Sequence, residues 1–426
     1  MQIKALRGTQ DLLSPVVEKW RSVETLARDV FRLYHFKELR TPILEETALF
    51  TRALGETAEV VAKQMYSFTD RGERKISLRP EGTAPAIRAY LEHHLDQNQS
   101  LVRLFYIGAM FRAERPQAGR SRQFHQIGAE AIGSHAPAVD AEGLSLIALF
   151  FERAGLKEYT LHVNSLGCAD DKKEIGVFLQ SALEKKKEEL CAECQERLSR
   201  NVFRILDCKK ENCRRVVQAL PPISEKLCRD CLDHFEAVKR LLSFFQIAFV
   251  ISPHLVRGLD YYTRTTFEVT HPLLGAQDAI GAGGRYDGLV SELGGKPTGA
   301  FGFSIGFERL MLALEAQQPA GETIAGDTLD VYVVTIGEKL FEEGRKLLQF
   351  LRRSGFSAVL DFEKRSLKAQ MREANHLKAR WVVLLGEDEL KENKVTLKEM
   401  ENGKEEKVDR EKLIDVLRAR RGEKKG

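Results

Sequence analysis

Arginines and carboxylates crowd the run Phe111-Arg112-Ala113-Glu114-Arg115-Pro116-Gln117-Ala118-Gly119-Arg120-Ser121-Arg122-Gln123-Phe124-His125-Gln126-Ile127-Gly128-Ala129-Glu130. Two strand-like stretches flank a polar turn, which predicts a hairpin with guanidinium groups at its base and its tip. An arginine on a strand offers a fixed fork to phosphate or carboxylate. Alternation along the second strand sets Phe124, Gln126, Gly128 and Glu130 on one face, where an aromatic base can sit beside polar side chains. Taken alone, such a run also reads as a surface hairpin with ordinary ion pairs.

A second concentration is of sulfur. Six of the seven cysteines lie between positions 191 and 231. Cys191 and Cys194 form one CxxC pair and Cys228 and Cys231 another, with Cys208 and Cys213 between them. Four thiolates at this spacing can enclose a structural zinc, and the two CxxC pairs are the expected ligands. Such a site has no open position, so the metal would not be catalytic. Reduced thiols packing a small helical module are the competing reading.

The familiar nucleotide loops are absent. Gly281-Ala282-Gly283-Gly284-Arg285-Tyr286 breaks the dinucleotide fingerprint at its last glycine, and Gly294-Gly295-Lys296-Pro297 has proline where a phosphate loop needs Ser or Thr. A nucleotide site would be built another way.

The elements that must position these groups follow from periodicity. Apolar Val16, Val23, Leu26, Ala27, Val30, Phe31 and Tyr34 recur at helical spacing over 16–35. A strand over 38–45 meets Pro42, which belongs at an edge, a bulge or an interface. Strand patterns at 75–79, 102–112, 123–132, 159–163, 264–270 and 298–304 predict a mainly antiparallel sheet flanked by helices. Between about 168 and 238 the pattern turns helical and charged, as an insertion would. After the linker Gln317-Gln318-Pro319-Ala320-Gly321-Glu322, strands at 329–335, 357–361 and 381–385 alternate with helices at 338–354 and 366–377, which marks a separate α/β domain. The fold class is therefore α+β.

Composition agrees with a globular chain: 43% hydrophobic and 30% charged residues exclude the disordered and membrane classes. No apolar run reaches the roughly 18 residues that span a bilayer, and the opening residues lack a signal-peptide stretch, so a cytoplasmic location with no membrane partner is expected. A net charge of +4 is too small to decide for or against nucleic acid.

The run over 111–130 resembles motif 2 of the class II aminoacyl-tRNA synthetases, and its Glu114-Arg115-Pro116-Gln117 core followed by Gly119-Arg120 is similar to the histidine-specific family. Leu39-Arg40-Thr41-Pro42 resembles motif 1, and Gly302-Phe303-Ser304-Ile305-Gly306-Phe307-Glu308-Arg309-Leu310 resembles motif 3. Arg257-Gly258-Leu259-Asp260-Tyr261-Tyr262 and Gly284-Arg285-Tyr286-Asp287-Gly288-Leu289 look like the two histidine-specific motifs. Leu78-Arg79-Pro80-Glu81-Gly82-Thr83 and Arg7-Gly8-Thr9-Gln10-Asp11 also match, so the resemblance covers nearly the whole chain in the family's order.

That resemblance implies a histidine–tRNA ligase that uses ATP and Mg²⁺, with histidine-accepting tRNA and L-histidine as its other substrates, and a homodimer with motif 1 at the interface. Its implied organisation is a class II catalytic domain (1–167 and 239–318), a helical cysteine-rich insertion (168–238) that leans on the acceptor arm, and an anticodon-binding domain (329–420). Phe31, Phe36, Leu39 and Ile43 become candidate dimer contacts, or else core. By the family's roles, Glu81, Gly82, Thr83 and Gln126 would receive the amino group of histidine, and Glu130, Tyr261, Tyr262 and Tyr286 its imidazole. Phe124 would stack the adenine, Glu114 would touch ATP, and Arg112, Arg257 and Arg309 would grip phosphate as the catalytic cations. Gln117 and Arg120 would meet the acceptor end. Arg264, where many relatives have Gly, is expected to be harmless variation. The alternative is the synthetase-like, non-catalytic regulatory subunit of ATP phosphoribosyltransferase, which lacks the last domain and loses catalytic arginines; this chain retains both.

Overall fold

Two ten-residue strands, Val102–Phe111 and Gln123–Ile132, pair antiparallel from Val102 opposite Ile132 to Phe111 opposite Gln123. They lie near one end of an eight-stranded sheet whose order is Lys37–Glu38, Val102–Phe111, Gln123–Ile132, Ala300–Gly306, Ala279–Arg285, Thr263–Thr270, Thr160–Ser165 and Val250–Ile251. The six central strands are antiparallel, and the two-residue strand at each edge runs parallel to its neighbour. The computed structural model describes residues 3–422 apart from 56, 57, 98, 118, 318–328 and 364, and divides them into two compact units, one up to residue 317 and one from residue 329.

Strand parity decides which side chains make core and which make the site. Phe105, Ile127, Ala129, Phe267, Phe301, Phe303 and Ile305 join one buried cluster with Trp20, Phe31, Phe151 and Phe307 from flanking helices. Neighbouring positions on the same strands, Gln126, Glu130, Glu268 and Ser304, must point to the opposite face. Helices Val16–Leu33, Pro137–Ala154, Arg229–Phe244 and Phe307–Ala316 supply the apolar side of this core.

Several expectations need correction. The strand expected over 38–45 is only Lys37–Glu38 and Leu44–Glu46, because Pro42 cannot take part in a continuous ladder. Of the two readings left open for Phe31 and Phe36, the core one holds: Phe31 stacks on Phe105 at 4.4 Å, and Phe31 and Phe36 are almost fully buried. Leu39 is half-buried against the core, whereas Ile43 is 45% exposed. The boundary placed at 238 cuts through the continuous helix Arg229–Phe244, whose Phe235, Val238 and Leu242 belong to the sheet's own core. Ala279–Arg285, a glycine-rich segment with no apolar alternation, is a full strand of the sheet.

The second unit has a five-stranded sheet in the order Ala358–Leu360, Val331–Thr335, Trp381–Leu385, Lys394–Glu399 and Glu405–Asp409. The first three strands are parallel, as strands joined by helical crossovers must be. Two further antiparallel strands close the sheet. Among the described residues no helix is long and apolar enough to cross a membrane.

Candidate active site

The face opposite the core opens into a cavity of about 390 Å³. Phe124 and Gln126 of the strand Gln123–Ile132 line it, and Glu130, further along the same strand, is fully buried behind it and bonded to the lining residue Thr83. Three hydroxyls donate to this one carboxylate: Thr83 at 2.8 Å and Tyr106 at 3.1 Å to Oε1, and Tyr286 to Oε2. Burial dominates the electrostatics and pushes the Glu130 carboxyl up to about 8, although the hydroxyl donors pull the other way. Space for the carboxylate comes from glycine: a Cβ at Gly302 would stand 1.7 Å from Glu130 Oε2, and one at Gly128 would stand 2.3 Å from the Tyr106 ring. Tyr261 and Tyr262 sit 4.6 Å apart by ring centroids, and Tyr261 meets the Tyr286 ring edge-on at 5.6 Å. Burial raises all three phenols, Tyr262 to about 12. They stay neutral donors at physiological pH.

Glu81 precedes the helix Thr83–Glu92 and caps it, accepting from the amides of Thr83 at 2.7 Å and Ala84 at 2.9 Å. Burial raises its carboxyl too. Gly82 must be glycine for packing, since a Cβ there would lie 2.2 Å from the Tyr106 ring. Gln126 donates from its amide nitrogen to Ser304 Oγ at 3.1 Å, while its Oε1 is buried without a hydrogen-bond partner. Both residues line the cavity, and an incoming ammonium would satisfy that oxygen.

Cations ring the remainder. Arg112 is held by Nε on the Pro80 carbonyl at 2.9 Å and lies over the Phe124 ring at 5.1 Å, so an adenine on Phe124 would take the ring's other face. Arg309, in the first turn of the helix Phe307–Ala316, reaches the carbonyls of Gly119 at 3.1 Å and Ala279 at 2.7 Å. Arg257 pairs with Glu268 at 2.5 Å, and its Nε is buried without a partner. Gln117 and Arg120 close the hairpin tip through reciprocal backbone bonds, and the Arg120 side chain lies 3.4 Å from Glu114. Of the residues expected for histidine and ATP, Glu81, Thr83, Arg112, Glu114, Phe124, Gln126, Arg257, Tyr261, Tyr262 and Arg309 line this cavity, whereas Gly82, Glu130 and Tyr286 do not, Glu130 being hydrogen-bonded to Thr83 and to Tyr286.

Sequence reasoning missed Tyr106, Ser304 and Glu268, the partners of Glu130, Gln126 and Arg257. Tyr106 and Glu268 alternate correctly with core residues on their strands, and that parity could have found them. Arg204 was unforeseeable: it comes from the insertion, lines the cavity and pairs with Glu59 at 3.0 Å. Arg264 has a left-handed φ of 46°, which explains why glycine suits the position, and its guanidinium contacts His234 Nδ1 at 3.3 Å.

The expected zinc ligand set does not assemble. Cys191 and Cys194 gather with Cys208 and Cys213, whereas Cys228 and Cys231 gather with Cys168 and Asp171. Sequence spacing fixes which thiols pair locally but not which pairs the fold brings together.

Comparison with known proteins agrees with this geometry. The family model described as histidyl-tRNA synthetase matches residues 8–310, and that described as anticodon binding domain matches residues 330–420. The histidine–tRNA ligase of Natranaerobius thermophilus is 48% identical over 96% of this chain and 97% of its own length, and that of Moorella thermoacetica is 47% identical over 97% of each. Among solved structures, apo S. aureus histidyl-tRNA synthetase superimposes with a TM-score of 0.82 at 36% identity, covering 98% of this chain and all of that one. A Bacillus halodurans chain described as an ATP phosphoribosyltransferase regulatory subunit/histidyl-tRNA synthetase is 21% identical with a TM-score of 0.66, a likeness of fold alone.

Proposed function

Because this chain belongs to the histidyl-tRNA synthetase family, we propose a division of labour for its cavity side chains in the two steps of histidine–tRNA ligation. The enzyme activates L-histidine with ATP to histidyl-adenylate and pyrophosphate, then transfers the histidyl group to the 3′ end of its tRNA. The observation that supports the assignment of roles is the fully buried Glu130 bonded to Thr83, which lines the cavity together with Arg112, Arg257 and Arg309.

Glu130, with Tyr262, Tyr261 and Tyr286 around it, receives the imidazole. A ring lacking one nitrogen would leave a buried polar group unpaired, a penalty large enough to select without editing. Glu81, Thr83 and Gln126 receive the ammonium, and Gly82 leaves the room they need. The histidine carboxylate then points toward Arg257 and Arg112, where its attack on the α-phosphate builds negative charge that fixed guanidinium groups stabilise. Arg309 takes the far end of the triphosphate, Phe124 the adenine, and Gln117 and Arg120 the tRNA acceptor end. A magnesium ion bound with ATP would supply further charge neutralisation. The carboxylates of Glu114 and Glu268 line the same cavity and suit a hard cation.

The organisation we propose keeps residues 1–167 and 239–318 in the catalytic domain, adds the helix Arg229–Phe244 to it, and leaves 168–228 as the insertion. A homodimer in the cytoplasm completes the reading. Ile43, Leu44 and Phe68, each 45–48% exposed on or beside the small sheet Leu44–Glu46, Lys75–Leu78, Ser67–Thr69, are its candidate contacts. The test is ATP–pyrophosphate exchange with each standard amino acid in turn. Histidine alone should stimulate it, and stimulation by another amino acid in its place would overturn the reading.

A further inference from the structure

We propose that Cys191, Cys194, Cys208 and Cys213 hold a zinc ion in a closed four-thiolate site within the insertion. Their four sulfurs all lie within 4.8 Å of one another, and Cys194, Cys208 and Cys213 are buried. Zinc–thiolate bonds of about 2.3 Å place tetrahedral sulfurs about 3.8 Å apart, so the cluster needs a contraction of roughly 1 Å at most. The spacings, CxxC for the first pair and CxxxxC for the second, are those that let neighbouring ligands turn onto one ion.

The surrounding backbone suits a centre of net charge about −2. Cys191 is the N-cap of the helix Ala192–Arg200 and Cys194 sits in its first turn, while Cys213 sits in the first turn of the helix Glu211–Gln218. Both helix N-termini thus direct partial positive charge toward the sulfurs. The Cys191 amide donates to Cys213 Sγ at 3.2 Å, the kind of bond that tempers a bound thiolate.

The fold here also needs a staple. The helices that carry and separate the cysteines have 9, 4 and 8 residues, too short to be stable alone. The segment between Cys194 and Cys208 brings Arg204 to the catalytic cavity and bonds Asn201 to Asp260 at 3.1 Å. An ion gripping both ends of this segment would hold one wall of the active site.

The other cluster has a sufficient account without metal. Asp171 Oδ2 accepts from the Cys168 amide at 3.1 Å and Oδ1 from the Cys228 amide at 3.0 Å, so one carboxylate joins the starts of two helices. Cys228 is exposed.

The experiment is elemental analysis of the full-length protein and its Cys208→Ser, Cys213→Ser, Cys228→Ser and Cys231→Ser variants, purified without chelator. Zinc near one per chain, lost in the first two variants and kept in the last two, is the expected result. Absence of zinc without uptake from added zinc chloride, or loss only in the last two variants, overturns it. Should the first two variants fail to fold, the unaltered protein decides. Cobalt exchanged into it should show the strong visible bands of tetrahedral four-thiolate coordination, and native alkylation should spare Cys191, Cys194, Cys208 and Cys213 until chelator is added. Weak octahedral bands, alkylation of these four without chelator, or disulfides linking them would overturn the proposal.

Discussion

Glu130 concentrates the site's electrostatic cost in one side chain. Folded, it keeps its proton up to about pH 8, whereas an unfolded carboxyl releases it near 4.5. Between these values the folded state binds more protons, so the group's contribution is complete below 4.5 and is lost as pH rises through about 8. Ligand-free protein should therefore lose a few kcal/mol of stability over that window, and Glu130→Gln should remove the slope; urea denaturation across the range reads it directly. A parent and variant with parallel pH profiles would contradict the assignment. Arg257 makes the complementary case: it pairs with Glu268, and its proposed role is to aim a charge at the transition state. Arg257→Ala is expected to slow pyrophosphate exchange by about 10²–10³ with little change in thermal midpoint. Exchange within threefold of the parent would assign that work to another group.

Between elements, the strongest polar joint is away from the cavity. Buried Arg285 on the strand Ala279–Arg285 meets Asp140 of the helix Pro137–Ala154 at 2.8 Å, Asp287 at 2.8 Å, and the carbonyls of Ser134 and Ala136. Asp140 also bonds His234 of the helix Arg229–Phe244 at 2.8 Å, and His234 in turn meets Arg264. Removing Asp140 would leave the buried guanidinium with Asp287 and two carbonyls and would take from His234 its carboxylate partner, so Asp140→Ala should cost about 3 kcal/mol in urea denaturation, and a loss below about 1 kcal/mol would mean that water replaces the carboxylate. None of this joint was legible in the sequence, where Arg285 read as part of a glycine-rich stretch and of a family motif but with no partner. What was legible obeyed a local period: the hairpin 102–132 announced itself by alternation, and parity alone placed Gln126 and Glu130 on the site face. The strand Ala279–Arg285 escaped because its glycines serve close approach, Gly283 having no room for a Cβ beyond 2.2 Å from the Gly302 carbonyl. The cysteine grouping escaped for another reason: Cys228 follows Cys194 by helices whose direction no spacing specifies.

At the scale of the whole molecule, the second unit has its own core, built from Val331, Val333, Leu351, Trp381, Val383 and Leu417 among others, and among the described residues it supplies none of the cavity side chains. It belongs to the anticodon-binding domain family. Reading unstacked bases calls for aromatic and polar groups on a basic surface. On and just after the helix Leu367–His376, Lys368, Arg372 and Lys378 are exposed, and Phe362, a few residues before it in sequence, is 59% exposed. Arg365 is less available, held by Asp361 at 3.1 Å and near Glu373, and Lys364 lies outside the described residues. Because every described residue that lines the cavity belongs to the first unit, a chain ending at residue 318 should still form histidyl-adenylate at a rate close to the parent's while charging tRNA poorly, through a raised KM for tRNA more than a lowered exchange rate. Lys368→Glu with Arg372→Glu in the full chain should reproduce part of that defect and make it more sensitive to salt, if the role proposed for these charges, contact with phosphate or base, is theirs. Aminoacylation measured against tRNA concentration, alongside pyrophosphate exchange on the same preparations, separates the two steps; undiminished charging by the shortened chain would leave the second unit a stabilising module with no part in recognition.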